Sequence, residues 1–428
     1  MMNYRRFLNA ISEARQPSPL RVLAEVIDRS PPTTISMANG NPNSTLFPFE
    51  EASIKMRDGS SIKIDANDMS KALQYSPTPG LTDLKKLLMT MQKELHRPPT
   101  LTSTDENQTD LTITTGSQQA LCTACEMLLA RGDNVLVGSP LYPGAEVMMR
   151  PLGVNFLEVK TDGDGLCVDS LKQSLSKWTP DDIESSPDAP KVLYVVPNGD
   201  NPTGGGLPLH RKQDIYQLAQ QYNLIILEDD PYYFLQFNKP KVPSFLSMDV
   251  DGRVLRFDSF SKVLSAGLRI GFVTGPQALL KRINYHLMAS VLHASGISQM
   301  FVYKLLETWG MQMFLEHTQS VADFYEARRD VMLAAADKYL KGLAEWSVPR
   351  GGMFIWFKLL GVDDTYELIT EKAIQKEVLF VPGISFCPDR SKPSSHIRAC
   401  YSLATDEQMD EGIKRLASLI VEAQKETK

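Results

Sequence analysis

Between residues 110 and 276 the chain repeats one pattern: a short apolar run, a turn, then a stretch with helical spacing. The runs are "DLTITTG", "NVLVGSP", "VNFLEVK", "KVLYVVP", "LIILEDD", "RVLRFDSF" and "RIGFVTGP". Each is continuous in its apolar residues, and segments such as "LHRKQDIYQLAQQY" read as helix between them. Strands of this kind, divided by helices, predict a mostly parallel sheet covered on both faces. Ser117 is expected to open a helix after the first run, and another helix is expected from about Pro143. The pattern defines a large α/β domain over 75–296.

A long helical region is expected from about Pro276 to Tyr339. Beyond it, "AEWSVPRGGMFIWFKL", "EVLFVPG" and "SHIRACYSL" predict the strands of a smaller α+β domain over 297–428. Residues 1–74 carry short elements, expected to form an N-terminal arm and part of the small domain. A chain of 428 residues suits about two domains. The net charge of −6 lacks the basic excess of a nucleic-acid-binding protein. No apolar run has the length to cross a bilayer.

The five cysteines are an odd, sparse set that suggests a reducing compartment. Cys122 and Cys125 form a C-x-x-C inside "SQQALCTACEMLLARG", where both read as helix-packing residues. No cysteine or histidine spacing predicts a metal site. The first twenty residues set Arg5, Arg6 and Arg15 against one acid, Glu13. Two readings stand: a mitochondrial transit signal, or an amphipathic arm of the mature protein.

Ligands of doubly wound sheets collect at the carboxyl ends of the strands, and five positions there carry chemistry. In "TTGSQQA" a glycine lets the chain turn and Ser117 starts a helix, whose free N–H groups favour an anion such as phosphate. In "PNGDNPTGG" Asn201 precedes a proline, which restricts its backbone and can aim its amide. In "LEDDPYYF" acids end an apolar strand, where a buried carboxylate needs a partner such as a cationic ring nitrogen. Tyr232, three residues beyond Asp229, offers a phenol to the same ligand. In "DSFSKVLSAGLRIGF" Lys262 is a candidate nucleophilic amine, beside the hydroxyls of Ser259 and Ser261. Arg269 is a fixed cation suited to phosphate oxygens. In "SHIRACYS" Arg398 alternates with apolar residues on a strand and is either a structural ion-pair partner or a grip for a carboxylate. A phosphate, an aldehyde for the lysine and a ring nitrogen for the aspartate together describe pyridoxal 5'-phosphate.

With these motifs in this order, the chain resembles the fold-type I, class I/II aminotransferases over essentially its whole length. The text that carries the resemblance includes "NYRRFLNA", "ALQYSPTPG", "GSQQALC", "PNGDNPTG", "IILEDDPYYFLQF", "DSFSK", "GLRIGF" and "GGMFIWFK". The family implies a mostly parallel seven-stranded sheet in the large domain. It implies that Lys262 joins the cofactor aldehyde and then moves the substrate proton, that Asp229 keeps the pyridine nitrogen protonated, and that Tyr232 and Asn201 bond the ring's 3-oxygen. Tyr142 would stack on the ring. Ser117, Gln118, Ser259, Ser261 and Arg269 would form the phosphate cup, completed by Tyr75 across a homodimer with shared active sites. Arg398, helped by Asn201, would bind the substrate carboxylate.

The longer runs are most similar to members that accept 2-aminoadipate and kynurenine, with 2-oxoglutarate as amino acceptor in ping-pong half-reactions. In those members the N-terminal segment contributes to the pocket, and Arg21 and Gly40 match its contacts. The turn there departs from the pattern: "ANGNPN" puts Asn39 in place of a glycine and Asn41 in place of a hydrophobic residue, which implies a more polar pocket. The family is mainly mitochondrial, so the matrix is expected, with the cytoplasm as the alternative. Two rival readings are a lyase or synthase on the same cofactor and a regulator with an aminotransferase-like sensor. No helix-turn-helix pattern precedes the matched region, which counts against the regulator.

Overall fold

The computed structural model describes residues 2–20, 30, 31, 33–35, 37 and 40–426. The chain packs into two compact units. The first comprises residues 1–130 and 246–315, and the second comprises 131–245 and 316–428. Strands are numbered β1 to β14 in chain order.

In the first unit, β3 (Thr109–Thr114), β9 (Val254–Ser259) and β10 (Gly271–Pro276) form one group. Strand β10 pairs antiparallel with both of its neighbours. Its first residue, Gly271, lies opposite Thr114 on one side and Ser259 on the other. The carboxyl ends of β3 and β9 therefore flank the start of β10. The chain segments just beyond them, 115–118, 260–262 and 269–270, are brought to one edge. A hairpin of β1 (Ala52–Lys55) and β2 (Ser61–Ile64) turns through Asp58 and Gly59. It pairs antiparallel and escaped the sequence reading.

The N-terminal arm is built into this unit. Phe7 is fully buried, and the Tyr4 hydroxyl lies 2.7 Å from Asn107 Oδ1 and 2.8 Å from the Gly252 carbonyl. The Asn9 amide donates to the carbonyls of Glu126 and Leu129, which end the helix Gly116–Leu128. That helix carries Cys122 and Cys125, and all five cysteines are free thiols.

In the second unit, β4 (Asn134–Ser139) pairs in parallel with β5 (Asn155–Asp162) and β7 (Val192–Val195), and β7 pairs in parallel with β8 (Ile225–Asp229). Strands β7 and β8 are buried throughout, as continuous apolar runs require. The fold is α/β with a mostly parallel central sheet. The seven expected strands are present, and the two-residue β6 (Gly165–Leu166), paired antiparallel with β5, adds one that the sequence reading did not include.

A separate antiparallel sheet in this unit runs in the order β11 (Ala344–Trp346), β12 (Phe354–Leu359), β14 (His396–Cys400), β13 (Val381–Pro382). The amphipathic helix Asp406–Glu426 buries Met409, Ile413, Leu416, Leu419 and Ile420.

The long helical region expected over 276–339 is present as two helices. One helix spans Gln277–Ser290, and a second spans Gly296–Tyr339. The first stops where Leu292 takes a φ of 64°, outside the helical range. The second is interrupted at Gly310, whose φ of 64° and ψ of 179° only glycine adopts readily.

Candidate active site

In the first unit the register of three strands assembles an edge whose groups suit an anion. The helix Gly116–Leu128 begins directly after β3, and its N-cap residue Thr115 makes no side-chain cap. The N–H groups at the start of a helix suit an outside anion. Arg269 sits in a left-handed conformation with φ of 53°. Its Nη1 donates to Ser261 Oγ at 3.2 Å and to the Ala266 carbonyl at 3.1 Å. The guanidinium also lies against Gly116, where an added Cβ would come within 2.5 Å of Nη2. A Cβ on Gly271 would come within 2.6 Å of the Ser117 backbone nitrogen. Two glycines thus let a helix start, a guanidinium and a serine turn approach one another.

The Ser261 N–H donates to Ser259 Oγ at 3.2 Å, which closes the turn that presents Lys262. Beneath this turn Arg256, with no exposed surface, makes two hydrogen bonds to the Asp258 carboxylate at 2.9 and 3.1 Å. The structure brings Ser117, Ser259, Ser261 and Arg269 together at this edge, with Lys262 following Ser261. Gln118 is exposed on the first turn of the helix. Tyr75 lies on the surface at 52% exposure, with its ring edge-on to His293 at 6.1 Å. Gly40 is exposed and no heavy atom would meet a Cβ there, so it joins neither group of site residues. Arg21 and Asn39 lie outside the described residues.

In the second unit the acids after "LIIL" separate by role. Glu228 Oε1 accepts from the Phe245 N–H at 2.8 Å and Asp230 Oδ2 accepts from the Asn198 amide at 2.8 Å. Asp229, between them, points to the other face, where Tyr194 on the neighbouring strand donates its hydroxyl to Asp229 Oδ2 at 2.8 Å. Burial and the Asp229 charge both raise the Tyr194 pKa, so this phenol stays a donor. Sequence reasoning missed Tyr194, because a tyrosine in "KVLYVVP" reads as one more core aromatic.

Arg398 projects from β14 on the same face as its cross-strand neighbour Trp356. Its guanidinium covers the Phe354 ring at 4.3 Å and approaches Phe386 at 5.2 Å. Nη1 donates to Asn201 Oδ1 at 2.9 Å. That bond uses the carbonyl end of the Asn201 amide and leaves its NH₂ end to face an acceptor. Arg398 Nε is buried and has no hydrogen-bond partner among the described residues. Burial pushes the arginine pKa down, which marks a cation that gains from an anionic ligand.

Tyr232 is buried and meets Phe354 edge-on at 6.2 Å. Tyr142 folds over Gly144, where a Cβ would overlap its ring. Burial raises both phenol pKa values, Asp229 raises them further, and Arg398 opposes the rise. Asp229, Tyr142, Tyr232, Asn201 and Arg398 are therefore one electrostatic group.

Each group, taken by itself, fits a part of pyridoxal phosphate. A helix start, serine hydroxyls and an arginine suit a phosphate. A buried carboxylate oriented by a phenol suits a ring nitrogen. The unpartnered Nε of Arg398 suits a substrate carboxylate. Among the described residues no cluster of histidine, cysteine or acids is placed to hold a metal ion, and no helix is long and apolar enough to cross a membrane.

The family model for class I and II aminotransferases matches residues 34–416, and the chain belongs to that family. It is 50% identical to the mouse mitochondrial kynurenine/alpha-aminoadipate aminotransferase, over 99% of this chain and all of that one. The aminotransferase Aro8 of Candida albicans superimposes with a TM-score of 0.88 at 27% identity, covering 99% of both chains. LysN, the alpha-aminoadipate aminotransferase of Thermus thermophilus solved with N-(5'-phosphopyridoxyl)-L-leucine, superimposes with a TM-score of 0.72 at 30% identity, covering 83% of this chain and 85% of that one.

Proposed function

We propose that this protein transfers the amino group of L-2-aminoadipate and L-kynurenine to 2-oxoglutarate, with pyridoxal phosphate as cofactor, in two half-reactions. The observation that carries the reading is Arg398: a buried guanidinium, tied to Asn201 on one edge and with Nε left for an anion. The choice of donors is supported by the named activities of the mouse and Thermus relatives.

When bound, pyridoxal phosphate supplies an aldehyde that takes up the amino group and a protonated ring that draws electrons from the substrate Cα. Lys262 would supply the amine that moves the substrate Cα proton, as base and then as acid. Asp229 holds the proton on the pyridine nitrogen, and Tyr194 fixes the Asp229 carboxylate. Tyr232 and the NH₂ end of Asn201 would donate to the ring's 3-oxygen, and Tyr142 would cover the ring. Ser117, Gln118, Ser259, Ser261 and Arg269 hold the phosphate. Arg398 and Asn201 hold the α-carboxylate, with Tyr142 bordering the substrate.

The protein acts as a homodimer in which Tyr75 of the partner subunit completes the phosphate cup; the surface exposure of this chain's own Tyr75 supports that role. The working division is 1–74 for the arm and part of the small domain, 75–296 for the cofactor domain and 297–428 for the small domain, a different cut from the two packing units. The mitochondrial matrix is the proposed location, on the printed name of the mouse relative. A panel of aminoadipate, kynurenine, methionine and aspartate against 2-oxoglutarate tests the reading. Turnover of the first two is expected, and a strong preference for aspartate would overturn the donor assignment.

A further inference from the structure

Asp200 precedes Asn201 and has no role in the chemistry above. Its side chain closes the turn that carries Asn201. Thr203 Oγ1 donates to Asp200 Oδ2 at 2.9 Å, and the same Thr203 oxygen accepts from the Gly205 N–H at 3.1 Å. The backbone doubles the closure: Gly204 N–H donates to the Asp200 carbonyl at 2.7 Å, and Asp200 N–H donates to the Gly205 carbonyl at 3.0 Å. The position of the Asn201 amide, and so of Arg398 Nη1, is therefore set partly by this carboxyl.

Asp200 also shares a cavity of about 20 Å³ with Tyr142 and Tyr194, room for about one water. Tyr194 is the donor to Asp229, so Asp200 borders both the carboxylate grip and the partner of the ring nitrogen.

We propose that Asp200 is a positioning residue for the Asn201–Arg398 pair, and that its ionisation loosens the hold on a substrate carboxylate. The inference rests on the carboxylate-binding role given to Arg398 above. The titratable groups facing Asp200 are Tyr142 beyond β4, Tyr194 on β7 and Asp229 on β8; the charge of Arg398 reaches the turn through Asn201. Both tyrosines stay neutral, their pKa values raised. Although the residue keeps some exposure, burial of its carboxyl pushes the Asp200 pKa up to about 7; Thr203 and the N–H groups of Asn201 and Thr203 oppose the rise, and Asp229 adds to it. Below that pH the turn is neutral. Above it, a second negative charge stands one residue from the amide that Arg398 grips, where it repels an incoming carboxylate.

The test is binding of glutarate, a dicarboxylate with neither amino nor keto group, to the holoenzyme by calorimetry across neutral pH. Wild-type affinity is expected to fall about tenfold as pH rises through 7, the effect of one interacting charge at this range in partly screened surroundings. Asp200→Asn keeps an acceptor for Thr203 without the charge, so its affinity is expected to stay at the acid-side value throughout. Thr203→Val removes a hydrogen bond that favours the carboxylate, so its midpoint is expected to move to higher pH, a shift that a merely structural role would not produce. Infrared difference spectra supply an independent readout: a protonated-carboxyl band lost through neutral pH in the wild type and missing in Asp200→Asn. An unchanged midpoint in Asp200→Asn, or the same infrared band in both proteins, would overturn the inference and leave the Arg398 assignment standing. Glutarate binding that is equally weak in wild type and Arg398→Ala at every pH would overturn that assignment, and the inference with it.

Discussion

The Tyr194 hydroxyl donates to Asp229 Oδ2 at 2.8 Å across two neighbouring parallel strands, and both residues are buried. A carboxylate at this depth needs donors to stay ionised, and the register that sets Tyr194 beside Leu227 supplies one from the adjacent strand. Tyr194→Phe removes the donor and keeps the ring. A hydrogen bond to a charged group contributes about 1.5–3 kcal/mol. Cofactor affinity is therefore expected to fall about 10–100-fold, since one pK unit of interaction is about tenfold. Equilibrium dialysis against pyridoxal phosphate checks this; unchanged affinity would remove Tyr194 from the site.

Arg398→Lys keeps the charge but loses the planar fork that spans Asn201 and an incoming carboxylate. A rise in KM for aminoadipate of about 10–100-fold is expected from the loss of a charged hydrogen bond, with a smaller change in kcat. Steady-state kinetics separate the two. A fall in kcat at constant KM would place Arg398 outside carboxylate binding.

Gly271→Ala sets a methyl against the Asp258 carbonyl and the Ser117 nitrogen, each 2.6 Å from the new carbon. Both are backbone atoms that cannot swing away. A loss of about 1–3 kcal/mol in stability is expected from the overpacking, together with weaker cofactor binding as the Ser117 and Ser259 segments part. Urea unfolding of apo and holo protein measures both effects. Wild-type values in the two would show that the three-strand edge is not tight at this point.

Much of this was legible from local signals. Strand β7 is apolar throughout and β8 is apolar up to its terminal acids, and Pro197 and Pro231 follow them, so "KVLYVVP" and "LIILEDD" announced buried parallel strands. Asp229 ends such a strand and Lys262 comes shortly after β9, so the strand-end rule drew attention to both, and Arg269 stands just before β10 in the same stretch. What escaped depends on distance or backbone conformation. Asn201 and Arg398 meet across 197 positions of sequence, and only the family resemblance had joined them. Tyr194 has the side chain of an ordinary core residue, and Asp200 that of an ordinary turn residue. The break at Gly310 sits among Trp309 and Met311, where the apolar spacing continues and only the glycine φ departs. The β1–β2 hairpin is four residues a side, too short for its alternation to stand out.

Asp200 also gives stability a pH dependence. The folded carboxyl holds its proton to about pH 7, whereas the unfolded one releases it near the ordinary value of 3.8. The folded state therefore binds more protons between these values, and stability declines as pH rises through that window, then levels off above it. The cost above pH 7 is on the order of a few kcal/mol. Asp200→Asn is expected to unfold at a higher temperature than wild type at pH 8 and to lose most of that advantage near pH 4. Melting curves at the two pH values check the sign; an advantage that grew toward acid would contradict it.

Reductive trapping addresses the role of Lys262 most directly. Purified protein supplied with pyridoxal phosphate, reduced with borohydride, digested and mapped by mass spectrometry should carry the phosphopyridoxyl label on the peptide containing Ser261, Lys262 and Val263. Lys262→Ala should remain unlabelled there and inactive. A label on another lysine, or a wild-type protein that stays colourless and unlabelled, would contradict the role given to Lys262.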